Sequence, residues 1–131
     1  MATRQQIRAR IKQLIAGFFT SSFDYRPSQL FQEELPCSSV YFENGETSRD
    51  HDDNPDTEAR LAVEITASQS GNIDAFLDGL GNQVEAAIRA DNTLSGLVDL
   101  IERTGFQYDR DPESFDGTLT LFFNVIYNDE D

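Results

Sequence analysis

Thr118-Leu119-Thr120-Leu121-Phe122-Phe123-Asn124-Val125-Ile126-Tyr127 carries the most hydrophobic surface in the chain, and its period decides the fold. Leu119, Leu121, Phe123, Val125 and Tyr127 fall on one face of a strand, Phe122 and Ile126 on the other. Apolar residues on both faces require cover on both, from a central place in a sheet or from a contact with another subunit. The run is far shorter than the ~20 apolar residues of a membrane-spanning helix.

Working outward, Leu61, Val63 and Ile65 alternate with Ala62, Glu64 and Thr66 in a second strand, and Ser38 to Phe42 form a third. These two are expected to pair as a hairpin. Between them, Glu43 to Glu58 reads as a long polar loop, either a binding loop or a mobile acidic arm over residues 44–57. Ser22 to Arg26 alternates like a short strand that Pro27 ends or holds at a sheet edge. Gly105 to Tyr108 is strand-like, and Leu94 to Arg103 reads either as a short helical turn or as a lead into that strand, the turn being favoured. Asp109, Asp111, Glu113 and Asp116, with Pro112 and Gly117, read as an ordinary turn. Asn128 to Asp131 is an acidic tail returning to solvent.

Two helices complete the pattern. Thr3 is the expected N-cap of a helix from residue 4 to about 18, with Ile7, Ile11, Leu14, Ile15 and Phe18 on its apolar face. Asn72 is the expected cap of a second helix, whose apolar face is Ile73, Phe76, Leu77, Leu80, Val84, Ala87 and Ile88. Gly79 and Gly81 weaken it by about 1 kcal/mol each, which points to close packing on a sheet or neighbour. The result is a single α+β domain over residues 1–131. Two main helices pack on a mixed or antiparallel sheet of about four to five strands, with a long acidic hairpin loop.

Charge is distributed unevenly. Arg4, Arg8, Arg10 and Lys12 are four of the ten basic residues, whereas the 24 acidic residues all follow from Asp24 onward. With a net charge of −14, free copies repel one another, yet each carries a basic helix that an acidic neighbour attracts. These four residues are candidate subunit contacts. A broad nucleic-acid-binding surface is disfavoured by the same imbalance. No apolar h-region follows the basic start, so the chain reads as neither secreted nor membrane-inserted.

Little in the chain points to catalysis. His51 is the sole histidine, so multi-histidine metal constellations are excluded. The sole cysteine, Cys37, reads as a small apolar filler at the start of a strand. Asp50, Asp52, Asn54 and Asp56 match the alternating ligands of a calcium loop, but Pro55 occupies the glycine position and Leu61 the bidentate glutamate position. Asp50, Asp52, Asp53 and Asp56 remain weak candidates for a divalent cation, within what reads as a solvated acidic loop. Gly79-Leu80-Gly81 lies inside a helix and is no nucleotide fingerprint. The expectation is a non-enzyme without a cofactor.

Three stretches resemble the tail terminator family of long-tailed bacteriophages, the family of lambda-like minor tail protein U. They are Arg26-Pro27 with Phe31, Glu34, Leu35-Pro36 and Val40-Tyr41; Thr104 to Asp111; and Leu119 to Tyr127. The resemblance spans nearly the whole chain. It implies a homohexameric ring that caps the tail tube at full length, stops addition of tube protein and presents the surface for head joining. The implied partners are further copies of itself, the tail tube protein and a head-completion or connector protein. DNA would pass through the lumen without specific binding, and no membrane is involved. The implied locations are the virion tail and, during assembly, the host cytoplasm. By the family pattern Glu43, Glu46, Arg49, Asp50, Asp52 and Asp53 are candidate tube-contact residues. An alternative from another class is an acidic DNA mimic that blocks a host DNA-binding protein.

Overall fold

The computed structural model describes residues 2–48, 55–69, 71–111 and 116–130, with Asp111 described in its backbone only. The elements, in chain order, are α1 (Arg4–Ile15), β1 (Ser21–Phe23), β2 (Cys37–Ser48), β3 (Asp56–Ser68), α2 (Ile73–Ala90), β4 (Leu100–Asp111) and β5 (Asp116–Asn128). Short 3-10 turns occupy Ala16–Phe18 and Gln32–Glu34. The strands form one mixed sheet in the order β1-β2-β3-β5-β4, parallel only between β1 and β2.

β5 lies inside the sheet, hydrogen-bonded to β3 and β4, so a central position accounts for its apolar residues on both faces. Leu119, Leu121, Phe123, Val125 and Tyr127 join Leu61, Val63 and Ile65 of β3 in one core with residues of both helices. The helices therefore cover the same face of the sheet. Phe122, on the opposite face, is also buried.

Local chemistry sets the helix starts. The Thr3 hydroxyl accepts the Gln6 N–H at 3.1 Å while the Gln6 side chain accepts the Thr3 N–H at 2.9 Å, a reciprocal cap. Ile7, Ile11 and Ile15 then bury one stripe of α1. Asn72 accepts the Ala75 N–H at 3.0 Å at the start of α2. Gly81 has the close packing that the sequence suggests, since a Cβ there would lie 3.0 Å from Leu119 Cδ2. Gly79 faces open space and has no such compensation.

The expected hairpin of β2 and β3 is present but longer than its apolar pattern. Residues 43–48 and 56–58, expected in a loop, are strand, with a bulge between Phe42 and Asn44. Polar side chains hold this end: the Thr47 and Thr57 hydroxyls are 2.7 Å apart, and β3 continues to pair with β5 as far as Asn128. The mobile acidic arm expected at 44–57 is thus strand at both ends, and residues 49–54 lie outside the described residues. The helical turn expected over Leu94 to Arg103 stops short, because β4 begins at Leu100 and buries Ile101 opposite Val125. The tail is also more ordered than its composition suggests. Asn128 accepts the Ala2 N–H at 2.9 Å, Glu130 donates to the Ala2 carbonyl at 2.9 Å, and Asp129 accepts from the Thr57 hydroxyl at 2.8 Å. Among the described residues no helix is long and apolar enough to cross a membrane.

Candidate assembly surfaces

Three surfaces carry the chain's charged and aromatic groups. The first is α1. Arg4, Arg8 and Lys12 recur every four residues and follow one flank of the helix, whereas Arg10 lies on the other flank, towards the end of α2. Arg10 is held within the subunit: its Nε and Nη2 both donate to Asp91 Oδ2, at 3.0 and 2.8 Å. Asp91 also accepts the Ser95 N–H at 2.9 Å, and that bond, followed by the Arg10 guanidinium, lowers its carboxyl below the ordinary range. Arg8 donates to the neutral Gln5 at 2.7 Å, and Lys12 has no acidic partner among the described residues.

The second surface is the sheet face that the helices leave bare. Register places Tyr41, Ala62 and Phe122 side by side across β2, β3 and β5. The Arg60 guanidinium lies 3.9 Å from the Phe122 ring centre and its Nε is 3.1 Å from Glu43. Arg26 lies 5.3 Å from the Tyr41 ring centre and 3.8 Å from Glu64, which accepts the Tyr41 hydroxyl at 3.0 Å. Burial, reinforced by Glu64, pushes the Tyr41 hydroxyl up to about 12. Acid is in surplus here. Glu46 stands directly opposite Glu58, an unfavourable pairing of like charges, and Asp56 adds a further acid beside them, opposite Ser48. An open cleft of about 510 Å³ lies along this hairpin end.

The third surface is the rim where α2 meets β4. Arg110 makes a two-pronged contact with Asp74 at 2.6 and 2.7 Å, Tyr108 donates to Asp78, and Arg103 pairs with Glu85. The Arg110 hydrogen bond lowers the Asp74 carboxyl below its usual range. Arg110 also lies over the Tyr108 ring at 4.5 Å. These pairs join residues 18 to 36 positions apart, so the sequence signals them only once the register of β4 is known.

Of the sequence-derived candidates, Glu43 and Glu46 belong to β2 and Asp56 to β3, all on the bare face. Arg49, Asp50, Asp52 and Asp53, with His51, lie outside the described residues. No set of three acidic, histidine or cysteine ligands converges among the described residues. Cys37 is buried, as expected of a filler, and burial pushes its thiol up to about 11.

The sheet is covered by helices on one side only, and its charged groups are tied to one another across open surfaces. The chain belongs to the phage minor tail protein U family, whose profile matches residues 2–127, and is a structural protein of the virion tail. No curated sequence matches it significantly. Among solved structures, a chain from the virion of a native gene transfer agent particle aligns with 97% of this chain and 92% of its own. That alignment has 15% identity and a TM-score of 0.43.

Proposed function

We propose that the protein is a tail terminator: copies close into a hexameric ring on the finished tail tube, stop further addition of tube protein and offer the surface to which a filled head joins. Family membership over residues 2–127 supports this reading. The structural observation that carries it is the bare, acid-rich sheet face. Turned inward in a ring, that face forms a wall that repels a passing duplex and does not retain its phosphates. The partners are further copies, the tube protein and a head-completion or connector protein, and DNA crosses the lumen unbound.

The residue roles follow from where the charges lie. Arg4, Arg8 and Lys12 on the flank of α1 face a neighbouring copy, while Arg10 fixes α1 to the end of α2. The β2–β3 hairpin end, with Glu43, Glu46 and the segment through Arg49, Asp50, Asp52 and Asp53, meets the tube. The test is light scattering with negative-stain imaging over a concentration series, with and without magnesium. A closed six-membered ring supports the terminator. A strict monomer that competes with DNA for a basic protein, and leaves growing tubes uncapped, replaces it with a DNA mimic.

A further inference from the structure

An apolar core holds most of the sheet, but the far end of the β2–β3 hairpin lies beyond it. From Glu43 onward β2 has a strand neighbour on one side only, because β1 pairs with Cys37, Ser38 and Ser39 alone. On the side that faces the helices this end contributes Gly45, Thr47, Thr57 and Ala59, all small, which bring little apolar area to the core. On the bare side Glu46 opposes Glu58.

A polar clasp takes the place of apolar packing. Residues 128–130 run between the base of the hairpin and the segment that leads into α1. On one side the Asp129 N–H donates to the Pro55 carbonyl at 3.0 Å. On the other, Ala2 donates to the Asn128 carbonyl and accepts the Glu130 N–H, each at 2.9 Å, around a parallel bridge between Ala2 and Asp129. Ala2 is fully buried by this arrangement. Side chains extend the clasp. The Thr57 hydroxyl, itself buried, gives its one proton to Asp129 Oδ2 at 2.8 Å, so in its 2.7 Å contact with Thr47 the Thr47 hydroxyl must be the donor. The resulting chain from Thr47 through Thr57 to Asp129 joins three strands' worth of backbone and ends on a carboxylate, which strengthens each bond in it. Arg4, in the first turn of α1, lines a cavity of about 210 Å³ together with Thr47, Thr57 and Asp129.

We infer that residues 128–130 are a positioning strap for assembly: one short segment holds both the hairpin end and the start of α1 in place before either meets a partner. This rests on the reading above, in which the hairpin end meets the tube and α1 a neighbouring copy. Thr57 and Asp129 are positioning residues, acting through the strands they tie together. A hairpin end held in this way loses its conformational freedom on folding, so that cost does not recur when it binds.

The test compares the parent with two variants, the chain stopped after Asn128 and Thr57→Val, by NMR on the free protein and by tube capping. Stopping after Asn128 removes the bonds to Pro55, to Thr57 and to the Ala2 carbonyl while leaving β5 whole. Backbone order parameters at residues 45–48 and at Thr3 should fall from the rigid value of about 0.85 to below about 0.6, while those of Val63 and Leu121 in the core stay rigid. Capping should then need roughly tenfold more protein. Thr57→Val keeps the branched shape and removes only the hydroxyl. Its amides at 45–48 should exchange with solvent roughly tenfold faster than the parent's, the scale of a lost hydrogen bond to a charged group. A shortened chain whose hairpin end stays as rigid as the parent's would overturn the strap, and parental exchange rates in Thr57→Val would overturn the hydroxyl chain. A loosened hairpin end with undiminished capping would overturn the role in assembly. A parent that never caps tubes, with the same loss of order on shortening, would refute the terminator and leave the strap standing.

Discussion

Gly79→Ala and Gly81→Ala, two positions apart on α2, should move stability in opposite directions. Both replace glycine in a helix interior, where alanine is favoured by about 0.8–1 kcal/mol. At Gly79 the new methyl meets nothing within 4 Å and the position is exposed, so the propensity gain stands. With about 2.1 cal/mol/K of unfolding entropy per residue over 131 residues, 1 kcal/mol corresponds to roughly 3–4 °C in Tm. Gly79→Ala should therefore raise Tm by about 3 °C. At Gly81 the methyl would lie 3.0 Å from Leu119 Cδ2, and Leu119 is packed in the core with Leu121. Overpacking of that kind costs about 1–3 kcal/mol, which cancels or exceeds the helix gain. The expected result is a Tm between the parent value and about 7 °C below it. Calorimetry on dilute protein, with urea titration to confirm unchanged m-values, reads both effects. Equal stabilisation by the two substitutions would refute the close seating of α2 on β5.

Three further outcomes follow from the thiol and the charged groups. The Cys37 thiol, buried and pushed up to about 11, should resist alkylation at mildly alkaline pH in the folded protein and react at once in denaturant; fast labelling of native protein would contradict its burial. Asp91→Asn should destabilise the protein at neutral pH. Because the folded-state carboxyl of Asp91 is lowered, its stabilisation is complete above the unfolded value near 4 and fades as pH falls through the folded one. Variant and parent unfolding curves should therefore converge in acid, and a gap that persists or widens there would contradict the Ser95 and Arg10 contacts. Replacing Arg4, Arg8 and Lys12 by glutamine should leave the circular dichroism unchanged and weaken ring closure most at low ionic strength; assembly indifferent to both the substitutions and salt would exclude α1 from the contact.

The apolar periods made the centre of this fold legible. Val63 and Ile65 of β3 and every second residue from Leu119 to Tyr127 are apolar, with Phe122 and Ile126 adding the second face, and Thr3 and Asn72 cap the helices where their side-chain chemistry predicts. The hairpin end was not legible, because Glu46, Ser48, Asp56 and Glu58 have poor strand character. They are ordered by pairing across β2 and, for β3, with β5, which local sequence does not record. The start of β4 was obscured for a similar reason: only Ile101 in its first turns points to the core, against Val125. Charge gave a partial view of the surfaces. The basic helix was plain from composition, but the diversion of Arg10 to Asp91 depends on where α2 ends, 81 residues later. The rows formed by Arg26, Tyr41 and Glu64, and by Asp74 and Arg110, likewise arise from register and topology rather than from local sequence.

The most direct measurement is to add the purified protein to polymerising tail tubes of its partner tube protein and image tube ends and lengths over time. The account predicts a six-fold ring seated at one end, with elongation halted once that end is occupied. Tubes that continue to lengthen with the protein present in excess, and tips without a ring, would contradict it.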